Sequence, residues 1–249
     1  MPDLLGDQAF DEKMTGKLLH GLAFIHQVVN YRPMSREPAP AAEERLRDAD
    51  RSQATILAAA RGEFAEFGLG GARMDRIAER AGLNKRLIYY YFDDKEQLFR
   101  AVLEQAYHDI REEERKLNLL DLKPADAVRK LVEFTWNYYL DHPEFLTLLN
   151  SANLHRGRHL VGSEKARQMN SPLVEMLGEI LERGRRDGSL RGGIDPVQLY
   201  VSIAGLAYFY LGNNHTLSAI FGRDLMSAKA RHERLSHMCD VILGYVLRN

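Results

Sequence analysis

The feature that most constrains this chain is the stretch over residues 82–92, which reads Gly-Leu-Asn-Lys-Arg-Leu-Ile-Tyr-Tyr-Tyr-Phe. Asn84 is a suitable N-cap, because its side-chain oxygen can accept a free amide of the first helical turn. Leu83 and Ile88 then occupy the two positions of a hydrophobic staple. The pattern therefore predicts a short helix over about residues 85–91.

The residues just upstream predict a second helix, joined to the first by a short turn. Met74, Ile77, Ala78 and Ala81 recur at helical spacing. Gly82 can take the left-handed conformation that ends such a helix. A turn of about three residues between two helices is typical of a helix-turn-helix. The same pattern is also typical of an ordinary αα-hairpin with half-buried tyrosines.

The run from Ile56 to Leu98 resembles the DNA-binding domain of the tetracycline-repressor (TetR) family. The matching segments are Phe-Ala-Glu-Phe-Gly at 64–68, Arg-Ile-Ala-Glu-Arg-Ala-Gly at 76–82, Ile-Tyr-Tyr-Tyr-Phe at 88–92 and Asp-Lys-Glu-Gln-Leu at 94–98. The resemblance implies an all-α fold. An N-terminal three-helix helix-turn-helix DNA-binding domain would be followed by a C-terminal helical ligand-binding and dimerisation domain.

Candidate DNA contacts lie on the face of the short helix that is left outside when Ile88 and Phe92 face the core. A basic pair beside exposed phenols suits contact with phosphates and base edges. The resemblance assigns DNA contact to Lys85, Arg86, Tyr89, Tyr90, Tyr91 and Lys95. Tyr91 stands where the family often has His. Ala72 stands where it often has a Thr that caps the second helix, so we expect a weaker cap there.

The charge distribution of the chain is compatible with DNA binding but does not indicate it. The formal net charge is −1; residues 45–100 hold 11 Lys/Arg and 9 Asp/Glu, hence +2, which leaves −3 for the rest. This asymmetry permits a small basic face on a neutral body. The single cysteine, Cys239, excludes an intrachain disulfide and favours a reducing compartment. No apolar run or leader predicts a membrane partner or export, so we expect a cytoplasmic protein.

Three regions are expected along the chain. They are 1–48, an N-terminal extension and flexible arm; 49–96, the DNA-binding domain; and 97–249, the regulatory and dimerisation domain. Residues 8–30 have a helical period, which predicts an extra helix docked on the body. Alternatively, translation naturally starts at Met34, and the first 33 residues result from a start site assigned too far upstream.

The first helix of the DNA-binding domain is expected from about Ser52 to Phe67, with Gly68 ending it. Its inward residues would be Ile56, Ala60, Phe64 and Phe67. Ahead of it, Arg45, Arg47 and Arg51 either grip phosphate as a basic arm or form a solvated charge run. Asp94 would cap a fourth helix whose buried stripe is Leu98, Val102, Ala106 and Ile110, with a solvated tail over residues 111–116.

Residues 120–249 show only helical periods. Helices are predicted to open at Pro124, Pro143, Pro172 and Pro196. Residues 151–170 read as a loop or a broken helix. The last helix is predicted over about residues 225–247, with Cys239 packed inside.

A ligand site is predicted on the middle helices from an aromatic and apolar set. Its members are Trp136, Tyr139, Phe145, Leu149, Met176 and Tyr208. Each alone would suit a core, but an apolar pocket with a few polar groups is what a small-molecule site needs. The set favours a hydrophobic or aromatic effector.

A dimer seam is predicted from small residues, Ser202, Ala204, Gly205 and Ala207, that let two helices approach closely. Leu206 and Tyr210 would lie beside them. The resemblance implies that the last two helices pair with those of a second copy as a four-helix bundle. Packing within one chain is the alternative.

No cofactor or enzymatic site is predicted. His155 and His159 are four residues apart but lack a third metal ligand, and no Ser-His-Asp set is visible. We expect a ligand-responsive, homodimeric repressor that leaves a palindromic operator in double-stranded DNA. The alternatives are an all-helical enzyme and an interaction module, each with a coincidental helix-turn-helix pattern.

Overall fold

Helices make up nearly all of the regular structure in the computed structural model, which describes residues 40–248 without the side chains of 40–43, 46, 166, 169 and 170. They are α1 (Pro40–Gly71), α2 (Met74–Ala81), α3 (Lys85–Phe92), α4 (Lys95–Arg115), α5 (Pro124–Asp141), α6 (Pro143–Leu154), α7 (Glu164–Asp187), α8 (Pro196–Gly212), α9 (Asn214–Phe221) and α10 (Ala228–Val246). A 3-10 helix spans Leu119–Asp121. The described residues contain no strand beyond a bridge between Leu190 and Leu247, which confirms the all-α class.

The first helix begins earlier than the sequence predicted. Arg45, Arg47 and Arg51 lie on exposed turns of α1, so the arm expected up to residue 48 is helical from Pro40. Proline needs no amide partner in a first helical turn, and the Ala, Glu and Arg residues that follow favour helix. The predicted helix over residues 8–30 and the alternative start at Met34 lie outside the described residues.

Gly68, which was predicted to end the first helix, breaks its regular backbone with φ 62° and ψ 176°, and α1 continues after it to Gly71. Ile56, Ala60 and Phe64 are fully buried, as predicted. The prediction for Phe67 is wrong. Its ring is 41% exposed, and the guanidinium of Arg76 lies 4.2 Å from the ring centroid.

Helix α4 leads from the three N-terminal helices into the rest of the chain. Its predicted stripe of Leu98, Val102, Ala106 and Ile110 is buried. The prediction that its charged tail is solvated is wrong for Arg111 and Glu114. These two side chains are 4% and 3% exposed and form an ion pair with each other.

Helices α5–α10 form the part of the chain called the body below. Within it, α5 packs against α7, α8 and α10. Pro172 does not open a helix; α7 begins at Glu164, and Pro172 lies inside it. Its missing amide removes one helical hydrogen bond without ending the helix. Gly188, with φ 79°, follows the last residue of α7. The short helix α9 was not predicted, and none of its residues is buried.

Two further expectations concern packing and membranes. Cys239 is buried among the core residues of α10, as expected. In the part of the chain that the structure describes, no helix combines the length and apolar character needed to cross a bilayer.

Candidate DNA interface and ligand cavity

The turn between α2 and α3 is built from local hydrogen bonds. Gly82 adopts φ 63° and ψ 27°, a left-handed conformation that a glycine takes without strain. Its amide donates to the carbonyl of Glu79, and the amide of Leu83 donates to that of Ala78, each at 3.1 Å. These bonds end α2 and set the direction in which α3 departs.

Asn84 caps α3 as predicted, since its side-chain oxygen accepts the amide of Arg86 at 2.9 Å. Ile88 is fully buried, and Leu83 and Phe92 pack half-buried against the same core. The staple and the anchor together fix which face of α3 points outward.

The outward face of α3 carries a cation and two phenols. Arg86 is exposed and forms no ion pair with any described residue. Tyr90 is 77% exposed and Tyr89 is 41% exposed. Lys85 lies 2.7 Å from a carboxylate oxygen of Asp75, and its hydrogen bond holds the pKa of that carboxyl below its usual value. Arg86 and the two phenols are thus available to a DNA backbone without breaking an ion pair.

Tyr91 and Lys95, the other two predicted DNA contacts, are half-buried. The Tyr91 ring packs edge-on against Tyr90, with centroids 5.1 Å apart. The Lys95 ammonium donates to the carbonyl of Ala72 at 3.3 Å. Their side chains are therefore already engaged by the protein on one side.

Glu63 has a structural role in the three helices α1–α3, called the DNA-reading head below, and the sequence analysis missed this role. Helix α2 has no side-chain N-cap, in line with the weaker cap expected from Ala72. Instead, the fully buried carboxylate of Glu63 accepts the backbone amide of Arg73 at 3.0 Å and Nε of Arg76 at 2.6 Å. Nε of Arg80 lies 3.4 Å from its other oxygen. Glu63 thus replaces the missing cap from a neighbouring helix.

The body contains a cavity of about 900 Å³ between α4, α5, α6, α7 and α8. Four of the predicted ligand residues line it: Tyr139, Phe145, Leu149 and Tyr208. Tyr208 also donates a hydrogen bond to the side-chain oxygen of Asn150. The volume is in the range of small-molecule sites.

Trp136 and Met176 do not line this cavity, contrary to the prediction. Trp136 is buried in the core, where its ring packs against Tyr210 with centroids 5.6 Å apart. Met176 lines a separate pocket of about 450 Å³ beside Arg111 and Glu114. Helical periodicity alone cannot distinguish a core residue from a cavity-lining residue, because it assigns a side chain to the inward face of a helix without identifying its neighbours.

Tyr107 and Tyr200 line the cavity and were missed by the sequence reasoning. Both stand beside the buried stripes of their helices, so a period-based search for core residues passes over them. A search for aromatic residues at the edge of a buried stripe would have found them.

Helix α6 and the turn after it contact both the cavity and the DNA-reading head. Leu149, Asn153 and Leu160 line the cavity. Between them, the hydroxyl of Ser151 accepts the buried amide of Leu69 at 3.1 Å. This bond joins α6 to the segment after the break in α1.

The turn after α6 contacts the start of α4. Nη2 of Arg158 donates to both carboxylate oxygens of Glu96, at 3.0 and 3.1 Å. The buried imidazole of His159 also contacts that carboxylate. Glu96 follows Lys95, so the contact lies close to the end of α3.

Helices α8 and α10 expose apolar side chains to solvent. On α8 they are Val197, Val201 and Phe209, and on α10 they are Val241 and Tyr245. A Cβ added at Gly205 or Gly244 would meet no atom within 4 Å. Neither glycine is therefore required by packing within the described chain.

The predicted seam residues divide between three surroundings. Ser202 and Gly205 are exposed, as a seam requires. Ala204 lines the cavity together with Gly205. Ala207 is fully buried in the core of the single chain, so its assignment to the seam is wrong.

His155 and His159 lie near each other, with ring centroids 5.9 Å apart. His159 is engaged by Glu96 and packs edge-on against Phe99. Within the described residues, no group of three metal-capable side chains converges.

Family models match both parts of the chain. The model described as bacterial regulatory proteins, tetR family, matches residues 56–102, and the model of the tetracyclin repressor-like C-terminal domain matches residues 124–242. Over 199 residues the chain is 41% identical to the HTH-type transcriptional repressor NicS of Pseudomonas putida, covering 80% of this chain and 94% of that protein. It is 29% identical over 182 residues to the HTH-type transcriptional regulator RutR of Escherichia coli, covering 73% and 84%.

Solved structures show the same fold at low identity. A TetR family transcription regulator from Marinobacter aquaeolei superposes with a TM-score of 0.61 at 18% identity, covering 82% of this chain and 100% of that chain. The ketosteroid transcriptional regulator KstR2 of Mycobacterium tuberculosis superposes with a TM-score of 0.57 at 17% identity, covering 79% and 95%.

Proposed function

Because this chain belongs to the TetR family of bacterial transcriptional regulators, we propose that it is a repressor released from a palindromic operator when a small apolar or aromatic molecule enters the cavity beside Tyr139. The family assignment makes it a DNA-binding regulator. It disfavours the alternatives of an enzyme and of an interaction module.

The DNA contacts that we propose are those on and beside α3. Arg86, Tyr89 and Tyr90 meet the DNA first, because their side chains are exposed at a helix fixed by its cap and its anchor. Lys85, Tyr91 and Lys95 join them at the rim of the interface. Lys85 then exchanges its contact with Asp75 for a phosphate.

The second copy that a palindrome requires would dock on α8 and α10. One reading helix contacts too few base pairs to select a site in a genome, and two copies related by a two-fold axis double those contacts. The exposed apolar side chains of both helices and the open space at Gly205 and Gly244 support this seam. The short α9 lies between them in sequence.

We propose that α6 transmits the effect of ligand binding from the cavity to the DNA-reading helices. A molecule in the cavity touches Leu149 and Asn153, while Ser151 on the same helix binds the end of α1. The turn after α6 holds Glu96 at the start of α4. A ligand that favours a shifted α6 therefore also favours a shifted head, and the two reading helices no longer match successive major grooves.

The single observation that carries this proposal is that α6 and its following turn contact the cavity and the head at once. The proposed operator binding is tested by fluorescence anisotropy with DNA taken from upstream of the protein's own coding sequence. The wild type should bind it with an affinity that falls steeply with salt.

Arg86→Ala should weaken this binding strongly and reduce its salt dependence. Lys130→Ala is the matched control, since Lys130 is an exposed cation on α5, away from α3. Equal affinities of wild type and Arg86→Ala, or a flat salt dependence, would refute the proposed interface.

A further inference from the structure

One wall of the cavity carries three tyrosines, Tyr107, Tyr139 and Tyr200. Tyr139 is 4% exposed, yet its hydroxyl has no hydrogen-bond partner among the described residues. The hydroxyl of Tyr107 has none there either. Neither oxygen is among the buried unpaired polar atoms of the described residues, so both hydroxyls are reached from the cavity and can bind a ligand there.

Tyr200 is oriented by a buried cation. Nη2 of Arg111 donates to the Tyr200 hydroxyl oxygen at 2.6 Å, and Nη1 of Arg111 donates to Glu114. Because the Tyr200 oxygen accepts this charged hydrogen bond, its own O–H is left to donate elsewhere. A bond from a cation also polarises that O–H and makes it a stronger donor.

The hydroxyls of Tyr107 and Tyr139 stay neutral and able to donate. Burial raises the pKa of Tyr107, and the neighbouring Tyr200 hydroxyl raises it further, while Arg111 lowers it. The same groups act on Tyr139, whose pKa burial raises well above its usual value. Arg111 bonds the Tyr200 hydroxyl directly, and both groups influence Tyr107 and Tyr139, which line the same cavity.

The walls around these hydroxyls are flat and apolar. The Phe145 ring packs against Tyr107 and Tyr139, with both pairs of centroids 5.7 Å apart. Leu149 and Leu173 complete this part of the lining. An aromatic ring fits such surroundings by edge-to-face and offset contacts.

From these observations we infer that the effector is a flat aromatic molecule bearing a hydrogen-bond-accepting oxygen group, a carboxylate or carbonyl, that the hydroxyls of Tyr107, Tyr139 and Tyr200 bind. This inference rests on the proposed function of the same cavity. A cationic amine would meet hydroxyls backed by a guanidinium. The carboxylate in the described lining, Glu175, is exposed on α7, where Arg167 also lines the cavity. Glu114, which influences Tyr139, does not line the cavity and is paired with Arg111.

Calorimetric titration with four one-ring probes tests the inference. Benzoate and benzamide carry the acceptor oxygen with and without charge, benzylammonium carries a cation, and toluene carries no polar group. Benzoate or benzamide should bind at least about tenfold more tightly than toluene and benzylammonium, the discrimination expected of a site with buried donors. Equal or tighter binding of toluene or benzylammonium, or no binding by any probe at millimolar concentration, would overturn the inference.

Conservative variants locate the binding group. Tyr139→Phe and Tyr107→Phe should each weaken binding of the better oxygen probe by about fivefold to tenfold, as expected for loss of one hydrogen bond, and leave toluene unaffected. Tyr138→Phe is the control, because Tyr138 is a buried tyrosine outside this cavity. Unchanged affinity in both Tyr139→Phe and Tyr107→Phe would also overturn the inference.

Operator binding by the ligand-free protein separates this inference from the proposed function. If the protein binds operator DNA while no oxygen-bearing probe binds the cavity, the inferred ligand class is wrong but the proposed repressor function is still supported. If the protein binds no operator while the probes bind at the tyrosines, the repressor proposal is wrong but the inferred ligand site is still supported.

Discussion

At the scale of single residues, local signals in the sequence were reliable and distant partners were not. Asn84 and Gly82 act through amides within three or four positions, so their roles as cap and helix end could be predicted. Glu63 acts on Arg73 and Arg76, which lie on the other side of a turn. No spacing rule connects a carboxylate to partners that only the tertiary fold brings near.

Glu63→Gln should destabilise the DNA-reading head. The amide keeps one acceptor oxygen but loses the charge that holds Arg76, a charged hydrogen bond worth about 2 kcal/mol. Urea unfolding followed by circular dichroism should show a lower free energy of unfolding. The control is Glu66→Gln, because Glu66 is exposed and its ion pair among the described residues is with Arg80. Such surface pairs contribute little to stability. The role assigned to Glu63 is wrong if both variants unfold alike.

Tyr90→Phe should weaken operator binding by about 1 kcal/mol, the contribution of one ordinary hydrogen bond. Its ring is 77% exposed, so the melting temperature should not change. Anisotropy titration against the operator measures the first quantity and calorimetry the second. An unchanged operator affinity removes Tyr90 from the proposed contacts.

At the scale of secondary-structure elements, the predictions from sequence failed at one proline and at one short helix. Pro124, Pro143 and Pro196 open helices as predicted, because a first turn needs no amide from them. Pro172 follows two polar turns, residues 164–171, whose described side chains are exposed, so these turns have no apolar stripe from which a helix could be predicted. The eight residues of α9 bury none of their side chains, so they have no stripe for a pattern to detect.

Gly244→Leu should shift the protein towards monomer, if α8 and α10 form the seam between copies. A side chain added there meets nothing within 4 Å in the protomer, so folding should survive. Overpacking costs about 1 to 3 kcal/mol at each site and acts twice in a symmetric dimer. Sedimentation at low micromolar concentration measures the shift.

Gly205→Leu tests the same seam from α8, but Gly205 also lines the cavity. It should weaken the dimer as Gly244→Leu does and, in addition, alter probe binding. Lys130→Leu adds the same bulk at an exposed position of α5 and should leave the dimer intact. If wild type is monomeric, or if both glycine variants remain dimeric with full operator affinity, the proposed seam is wrong.

At the scale of the whole molecule, the contacts between head and body could not be predicted from the sequence. The resemblance placed a reading head before a regulatory domain, and that order is confirmed. The bond between Leu69 and Ser151 spans 82 residues, and Glu96 meets Arg158 across 62. Such pairs depend on how two groups of helices are packed, which helical period does not encode.

Acid should weaken this connection through Glu96. Burial raises its pKa, but hydrogen bonding by His159 and the charge of Arg158 outweigh burial and hold the pKa below its usual 4.5. A carboxyl with a depressed pKa adds stability above its unfolded-state pKa and loses it as the pH falls through the folded-state pKa.

The free energy of unfolding of the wild type should therefore fall more steeply below pH 4.5 than that of Glu96→Gln. Denaturant titrations across this range measure the two slopes. Glu179→Gln, which alters an exposed glutamate without an ion pair among the described residues, should retain the wild-type slope. Parallel curves for wild type and Glu96→Gln would show that the contact adds no stability.

The buried stripe of α4 has a consequence for how the chain melts. Leu98 and Phe99 pack with the head, Ala106 and Ile110 pack with the body, and all belong to one continuous apolar core. Neither part can expose its side of α4 without stripping apolar surface from the other, so the two should unfold as one cooperative unit. A molecule bound in the body then raises the melting temperature of the head as well, through mass action on the shared unfolded state. The whole effector-bound repressor, including its DNA-reading helices, should therefore be harder to denature than the same protein free of effector and operator.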